Sequence, residues 1–268
     1  MENKILCTSL VDTRTTGVCR PEFGLSLFLE AYGKRLLLDA GQGEVLLSNA
    51  EALGIDLQSL DGVVLSHGHY DHTGGLARLF PRCPVYAVEG VAAPCFSRRD
   101  DGVRHWISMP EESKRALEEL ELRIVDGFTE IFPGIFLTGP IERTSGEDCG
   151  GHFFTDDSCV VPNVVPEEQS ILFENGTLVT GCCHAGLINT VETCRKNRPD
   201  IPIRAIVGGL HLLHAGKERL EKTAECLSGL PLEIMILMHC TGEEAGRFLQ
   251  ARLHCRVIWG MAGQRESL

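Results

Sequence analysis

The sequence has no run of about 18 apolar residues, the length a helix needs to cross a bilayer. Its start, Met1-Glu2-Asn3-Lys4-Ile5-Leu6-Cys7, lacks the basic-then-apolar layout of a secretory signal. A cytoplasmic protein with no membrane partner is therefore expected. Positive charge is also short: 25 Lys and Arg face 37 Asp and Glu, for a net charge of −12. That excludes nucleic acid as a bulk partner, because phosphate backbones are held by clustered cations. Cys-x-x-Cys is absent, so neither a zinc ribbon nor a thioredoxin-type site is encoded. Gly-x-Ser-x-Gly and Gly-x-x-x-x-Gly-Lys are missing too, which removes the nucleophile elbow and the P-loop. No low-complexity tract or internal period marks a solenoid.

With 268 residues, 43% of them hydrophobic, and 29 glycines, the chain can bury a full core. One turn-rich domain over residues 1–268 is expected. The 12 cysteines would suggest disulfides in a short secreted chain. In a cytosolic chain they are expected to be reduced, and most to act as small buried hydrophobes.

The chemistry concentrates in Leu65-Ser66-His67-Gly68-His69-Tyr70-Asp71-His72-Thr73-Gly74-Gly75. Three imidazoles and a carboxylate fall within six positions, directly after the apolar run Val63-Val64-Leu65. Imidazole with carboxylate suits zinc, iron or manganese. A buried strand ending at Ser66 would deliver the chain to a sheet edge. His67 and His69, two apart in extended chain, can then point the same way. Four ligands at this spacing can serve two adjacent metals, His67/His69 taking one and Asp71/His72 the other.

Short apolar runs separated by Gly and Pro predict strands over Ile5–Val11, Leu25–Glu30, Lys34–Asp39, Gly62–Ser66 and Pro84–Val88. Helices are expected over Gln42–Leu53, stopped by Gly54, and Thr73–Phe80, closed by Pro81. Residues 91–165 differ in texture, with Arg98-Arg99-Asp100-Asp101, a helical Glu111–Glu119, a hairpin-like Phe128–Thr138 and a Gly/Asp-rich stretch from Ser145 to Ser158. A substrate-covering insertion would sit there. Beyond it, Ser170–Glu174 and Leu178–Thr180 bracket the hairpin signal Asn175-Gly176. Helices follow over Gly186–Lys196, Gly216–Gly229 and Gly242–Leu253, alternating with strands Ile203–Val207, Glu233–Met238 and an edge strand Arg256–Ile258. Periodicity alone gives a layered α/β fold.

His67-x-His69-x-Asp71-His72 resembles the signature of the metallo-β-lactamase-fold hydrolases. Gly24-Leu25-Ser26-Leu27-Phe28-Leu29, Leu36-Leu37-Leu38-Asp39-Ala40-Gly41-Gln42 and Asn49-Ala50 resemble one branch of that superfamily. So do Gly181-Cys182-Cys183-His184-Ala185-Gly186-Leu187-Ile188-Asn189, Gly208-Gly209-Leu210-His211-Leu212 and His239-Cys240-Thr241-Gly242. The branch is labelled dihydropterin-ribofuranosylaminobenzene-5'-phosphate synthase, after a step proposed in methanopterin-type cofactor biosynthesis. The resemblance covers roughly residues 3 to 262 and is weakest between about 90 and 165. It implies an αββα sandwich of two mixed β-sheets with helices outside.

His239, at the end of the apolar strand Ile234–Met238, shares the strand-to-loop context of His67. The resemblance makes it the ligand that completes the second metal with Asp71 and His72. His184, at another strand end, would complete the first with His67 and His69. Many relatives carry a bridging Asp where this chain has Cys182. That cysteine is either a thiolate ligand or, as the favoured reading, a small packed thiol. His211 emerges from a strand with the roles of ligand, proton shuttle and ligand partner all open. Asp39 is expected to orient a ligand His or the metal loop, the alternative being an N-cap for the next helix. His214 reads as a surface residue, His152 as a remote ligand candidate, and His105 and His254 as structural or exposed.

Two divalent metals, zinc or else iron or manganese, would activate a water, with Asp71 and His211 as catalytic residues. The expected substrate is a small anionic molecule bearing phosphate or carboxylate, pterin-type compounds among them. Arg98, Arg99, Arg104 and Arg143 form the basic cluster of the covering segment, whose guanidinium forks suit such groups. The competing readings are a generic thioester, lactone or phosphodiester hydrolase, and a metal-binding sensor or redox protein without turnover. The oligomeric state is open, a homo-oligomer included.

Overall fold

A computed structural model describes residues 4–79, 82–98, 102–147 and 151–268. The chain opens with strands β1 (Leu6–Val11), β2 (Ser26–Ala31) and β3 (Lys34–Leu38), then helix α1 (Leu46–Ala52) and strand β4 (Gly62–Val64). Two short helices, α2 (Tyr70–Thr73) and α3 (Leu76–Leu79), precede β5 (Val85–Ala87), β6 (Phe96–Arg98) and β7 (Arg104–Trp106). Helix α4 (Glu111–Glu119) leads to β8 (Leu122–Ile124), β9 (Thr129–Phe132), β10 (Ile135–Leu137) and β11 (Phe153–Phe154). Then come β12 (Ile171–Phe173), β13 (Thr177–Thr180), α5 (Leu187–Asn197), β14 (Ala205–Gly208) and α6 (Lys217–Ser228). Strand β15 (Ile234–Leu237), α7 (Glu243–Gln250), β16 (Arg256–Trp259) and β17 (Arg265–Ser267) end the chain.

Two seven-stranded mixed sheets form, in the orders β17-β1-β2-β3-β4-β5-β8 and β16-β15-β14-β13-β12-β10-β9. Side chains alternate between the faces of a strand, and the burial follows that alternation. Leu27, Leu29, Leu36 and Leu38 meet Ile135, Ile171, Phe173, Val179 and Val207 between the sheets. Phe28, Leu37 and Val63 face the other way, against Leu46, Leu76 and Leu117 of α1, α3 and α4. The second sheet's outer face packs on Leu187, Val191, Leu220, Leu227 and Leu249 of α5, α6 and α7. The arrangement is the expected four-layer αββα sandwich. Among the described residues, no helix is long and apolar enough to cross a membrane.

Three expectations need correction, and one strand was not expected. The helix expected from Gln42 starts only at Leu46, because Gly41 and Gly43 adopt φ of +63° and +94°. Glu22 pins that turn, its carboxylate accepting the amides of Gln42 and Glu44 at 2.7 and 2.9 Å. The helix expected over Thr73–Phe80 is two pieces within the described residues: α2 begins already at Tyr70, and the chain breaks at Gly74-Gly75 before α3 (Phe80 lies outside them). The polar β17 pairs with β1 and returns the C-terminus to the first sheet. Finally, residues 91–165 are not all cover: β8 joins the first sheet and β9 and β10 the second, while β11-β6-β7 form a separate three-stranded sheet.

The parallel strands β3, β4 and β5 and the parallel strands β13 to β16 place their carboxyl ends along one rim of the sandwich. Loops at such ends are where α/β sheets bind ligands. Close backbone approach fixes that rim. A Cβ on Gly75 would lie 2.2 Å from Ala40 O, and one on Gly74 would lie 2.4 Å from Gln42 O. Gly75→Ala should therefore cost about 1–3 kcal/mol, the range for overpacking a rigid site. A lowered urea midpoint at unchanged slope is the expected result; an unchanged midpoint would mean the two loops can part freely.

Candidate metal centre

Strand β4 delivers Leu65, Ser66 and His67 to the rim, and His67 is wholly buried. Its Nδ1 lies 2.9 Å from Ser66 Oγ, while its Nε2 is buried with no hydrogen-bond partner among the described residues. His69 stands just before α2, its Nε2 3.5 Å from Cys95 Sγ. Asp71 and His72 occupy the first turn of α2. His72 Nδ1 meets Asp39 Oδ2 at 2.7 Å. Asp39 follows β3 in the left-handed region, at φ +58°, which Asp tolerates better than most residues. The same carboxylate accepts the Ser66 amide at 2.7 Å and the Ser66 hydroxyl at 2.6 Å. Asp39 thus ties the His67–His72 loop and a candidate ligand histidine together, and it does not cap α1.

The second sheet supplies the rest. His184 follows β13, and Glu168 holds its loop by accepting the amides of His184 and Ala185, each at 2.5 Å. His239 follows β15 at φ +47°, its amide donated to Asp12 Oδ2 at 3.0 Å. The six expected ligands fall into two triads, His67 with His69 and His184, and Asp71 with His72 and His239. Within each, the ligand atoms lie within 4.8 Å of one another. Asp71 Oδ2 is 3.2 Å from His239 Nε2, and His72 Nε2 is 3.4 Å from the same nitrogen. Cys182 is buried as expected of a packed thiol, and its Sγ lies 3.2 Å from His72 Nε2, inside the cluster.

This donor set fits metal ions. The orphaned His67 nitrogen points into a group of lone-pair donors whose opposite atoms are already held by Ser66, Cys95 and Asp39. Ligand histidines are oriented by such outer hydrogen bonds. Burial first, then the neighbouring histidines His72, His69 and His184, holds His67 well below the usual imidazole range. Burial likewise takes His69 down to about 3. Both stay neutral, as ligation requires. Burial works against His72, yet Asp71 and Asp39 carry it up to about 9. Asp71 is held below the usual carboxylate range: burial opposes this, but His72 and His239 prevail. Burial, then Cys240, pushes the Cys182 thiol up in the metal-free chain.

His211 is half-buried at φ +47°, its ring 4.2 Å from that of His184 and its Nδ1 without a hydrogen-bond partner among the described residues. His214 and His254 are exposed, as is His152, which lies outside every ligand set. His105 is half-buried in β7. The arginines are largely committed. Arg143 donates to the carbonyls of His184 and Val164, Arg104 to Asp157 O, and Arg98 lies over the Phe154 ring at 5.2 Å. Arg99 lies outside the described residues. Sequence reasoning missed Glu168, Asp12, Cys95, Cys240 and Phe153. Phe153 stands 5.2, 5.1 and 6.0 Å from the rings of His69, His184 and His211, closing the centre from the three-stranded sheet. The available signal was faint: the polar trio Glu167-Glu168-Gln169 just before an apolar strand.

The model of the metallo-beta-lactamase superfamily matches residues 19–161, more than half of the chain. The chain belongs to the metallo-beta-lactamase superfamily. An uncharacterised protein of Methanocaldococcus jannaschii is 30% identical over 237 residues, 88% of this chain and 90% of that one. A second protein of that organism, 7,8-dihydropterin-6-methyl-4-(beta-D-ribofuranosyl)-aminobenzene-5'-phosphate synthase, is 30% identical over 84% of this chain and 82% of its own. A crystal structure described as a metal-dependent hydrolase of the beta-lactamase superfamily superposes with a TM-score of 0.86 at 26% identity, covering 98% of both chains. Zinc-bound PqqB from Methylobacterium extorquens shares the fold at 13% identity, with a TM-score of 0.57 over 99% of this chain and all of that one. The superfamily model ends before Cys182, His184, His211 and His239, which only the longer alignments reach.

Two outcomes follow. Asp39→Ala should weaken metal binding by about 10- to 100-fold, as losing a ligand's hydrogen-bond partner does; chelator competition measures it, and an unchanged affinity would remove Asp39 from the centre. Glu168 is raised from its ordinary 4.5 to about 7, chiefly by burial, against the His184 and Ala185 amides. The folded metal-free chain then holds a proton that the unfolded chain releases. Its contribution to stability is present below 4.5 and lost as pH rises toward 7. Urea midpoints of the metal-free chain should fall across that window and fall less in Glu168→Gln; equal slopes would exclude Glu168 as the cause.

Proposed function

We propose that this chain is a metal-dependent hydrolase or related transferase with a two-metal centre acting on a small anionic substrate. The observation that carries the reading is the pair of facing triads, with the buried, unpartnered Nε2 of His67 among them. His67, His69 and His184 would hold one ion; Asp71, His72 and His239 would hold the other. Zinc, iron or manganese suits these donors. When bound, such a pair brings water's pKa toward neutrality and polarises a substrate oxygen.

The chain's own residues do the rest. Asp39 and Ser66 fix His72 and His67, and Asp12 and Glu168 fix the loops of His239 and His184. Asp71 would orient the attacking water through a carboxylate oxygen. His211 presents Nδ1 to pass a proton to the leaving oxygen. Phe153 excludes bulk water from above the histidines. The substrate class draws support from the 30% identical synthase, whose name specifies a dihydropterin and a phosphate ester. With Arg143 and Arg104 bonded to backbone carbonyls, a bound phosphate would be met mainly by the metal charges rather than by an arginine cluster.

A second reading, hydrolysis of a neutral ester, thioester or lactone, is favoured by one feature. Phe23, 52% exposed, stands 4.9 Å from the His239 ring and offers an apolar wall. The purified chain should carry close to two transition metals, and His67→Ala with His239→Ala should strip both. Phosphate-bearing esters should turn over at least about tenfold faster than neutral esters of similar size, a difference of roughly 1.4 kcal/mol in barrier. The reverse order would favour the neutral-ester reading. Full metal loading without turnover of any ester would leave a metal-binding sensor, and no metal uptake at all would sink the centre itself.

A further inference from the structure

Cys182 stands where its sulfur can reach both halves of the centre. Its Sγ belongs to three sets whose ligand atoms lie within 4.8 Å of one another: with His67 and His72, with His184 and His211, and with His239 and Cys240. Those sets draw on both triads. The position is mechanically fixed. A Cβ on Gly181 would lie 2.0 Å from Ser66 Oγ, and one on Gly209 would lie 2.6 Å from both Gly181 O and Cys240 Sγ. Both glycines are thus needed for the end of β13 to press against the metal loop. Cys183, next along, sits at φ +62°, turning the chain so that Cys182 faces the histidines while Cys183 packs on Thr190. Cys240 differs from Cys182: its thiol donates to Cys182 O at 3.6 Å, and among the described residues it shares one metal-capable set, with Cys182 and His239.

We propose that Cys182 is a thiolate ligand shared by the two metal positions, making this a sulfur-bridged centre, with Cys240 beside it bonded to the Cys182 backbone carbonyl. The proposal rests on the two-metal reading above. Coordination exchanges the S–H bond for a sulfur–metal bond and releases one proton to solvent, with no change of oxidation state. A soft sulfur at the shared position biases the centre toward thiophilic ions such as zinc, cobalt or cadmium and away from manganese.

The full chain loaded with cobalt should show a sulfur-to-metal charge-transfer band, and loaded with zinc it should show sulfur scattering at about 2.3 Å in X-ray absorption. The band should survive Cys240→Ser and vanish in Cys182→Ser. Cys182→Asp should lower the preference for cadmium over manganese by at least about tenfold. Two bound metals without sulfur scattering would overturn the proposal while leaving the two-metal reading intact. A band lost in Cys240→Ser and kept in Cys182→Ser would overturn it equally. A chain that binds no metal would fail the two-metal reading first. Should Cys182→Ser not fold, the scattering measurement on the unaltered chain decides alone.

Discussion

The buried carboxylate of Asp39 is the constraint on which the site depends. It spends both oxygens on the metal loop, one on the Ser66 amide and the other on the Ser66 hydroxyl and His72 Nδ1. A buried carboxylate without partners would be costly, so the fold is stable there only when the loop is seated. The same contacts orient the His72 ring so that its Nε2 faces the cluster. Ser66 carries the restraint one residue further, to His67. Without that clamp, the loop that carries three of the converging histidines would lose its buried anchor.

The second constraint is proximity of backbones. Gly74, Gly75, Gly181 and Gly209 each lie where a methyl group would strike a neighbouring loop. They let the ends of two separate sheets close to ligand distance, and their absence of side chains is functional rather than merely permissive. Buried acids complete the frame, since Asp12 and Glu168 hold loop amides near His239 and His184. The cluster is therefore ringed by carboxylates that hold the loops carrying the candidate ligands.

Much of this was legible beforehand. The His67–His72 spacing, the strand-end settings of His184 and His239 and the alternating apolar runs all pointed to a layered α/β fold around a metal-ligand cluster. Asp39 was expected to orient the loop, and it does. The helix boundaries were less legible. Turns at Gly41 and Gly43 and the break at Gly74-Gly75 are set by contacts between loops distant in sequence. The polar β17 gave little strand signal, because its pairing with β1 supplies what its side chains do not.

The sequence by itself determined the chemistry of the donors and the periodicities of the layers, since both are local: ligand types at short spacing, and apolar residues at period two or 3.6. Tertiary structure alone decided which donors meet. Cys182 reads as a small thiol along the chain and becomes part of the cluster only when β13 is pressed against the loop after β4. Phe153 reads as part of a variable segment until the three-stranded sheet lays it over three histidines. Arg143 reads as a free fork and is found bonded to backbone. Each depends on contacts between residues far apart in the chain, and no local pattern encodes a distance across a fold.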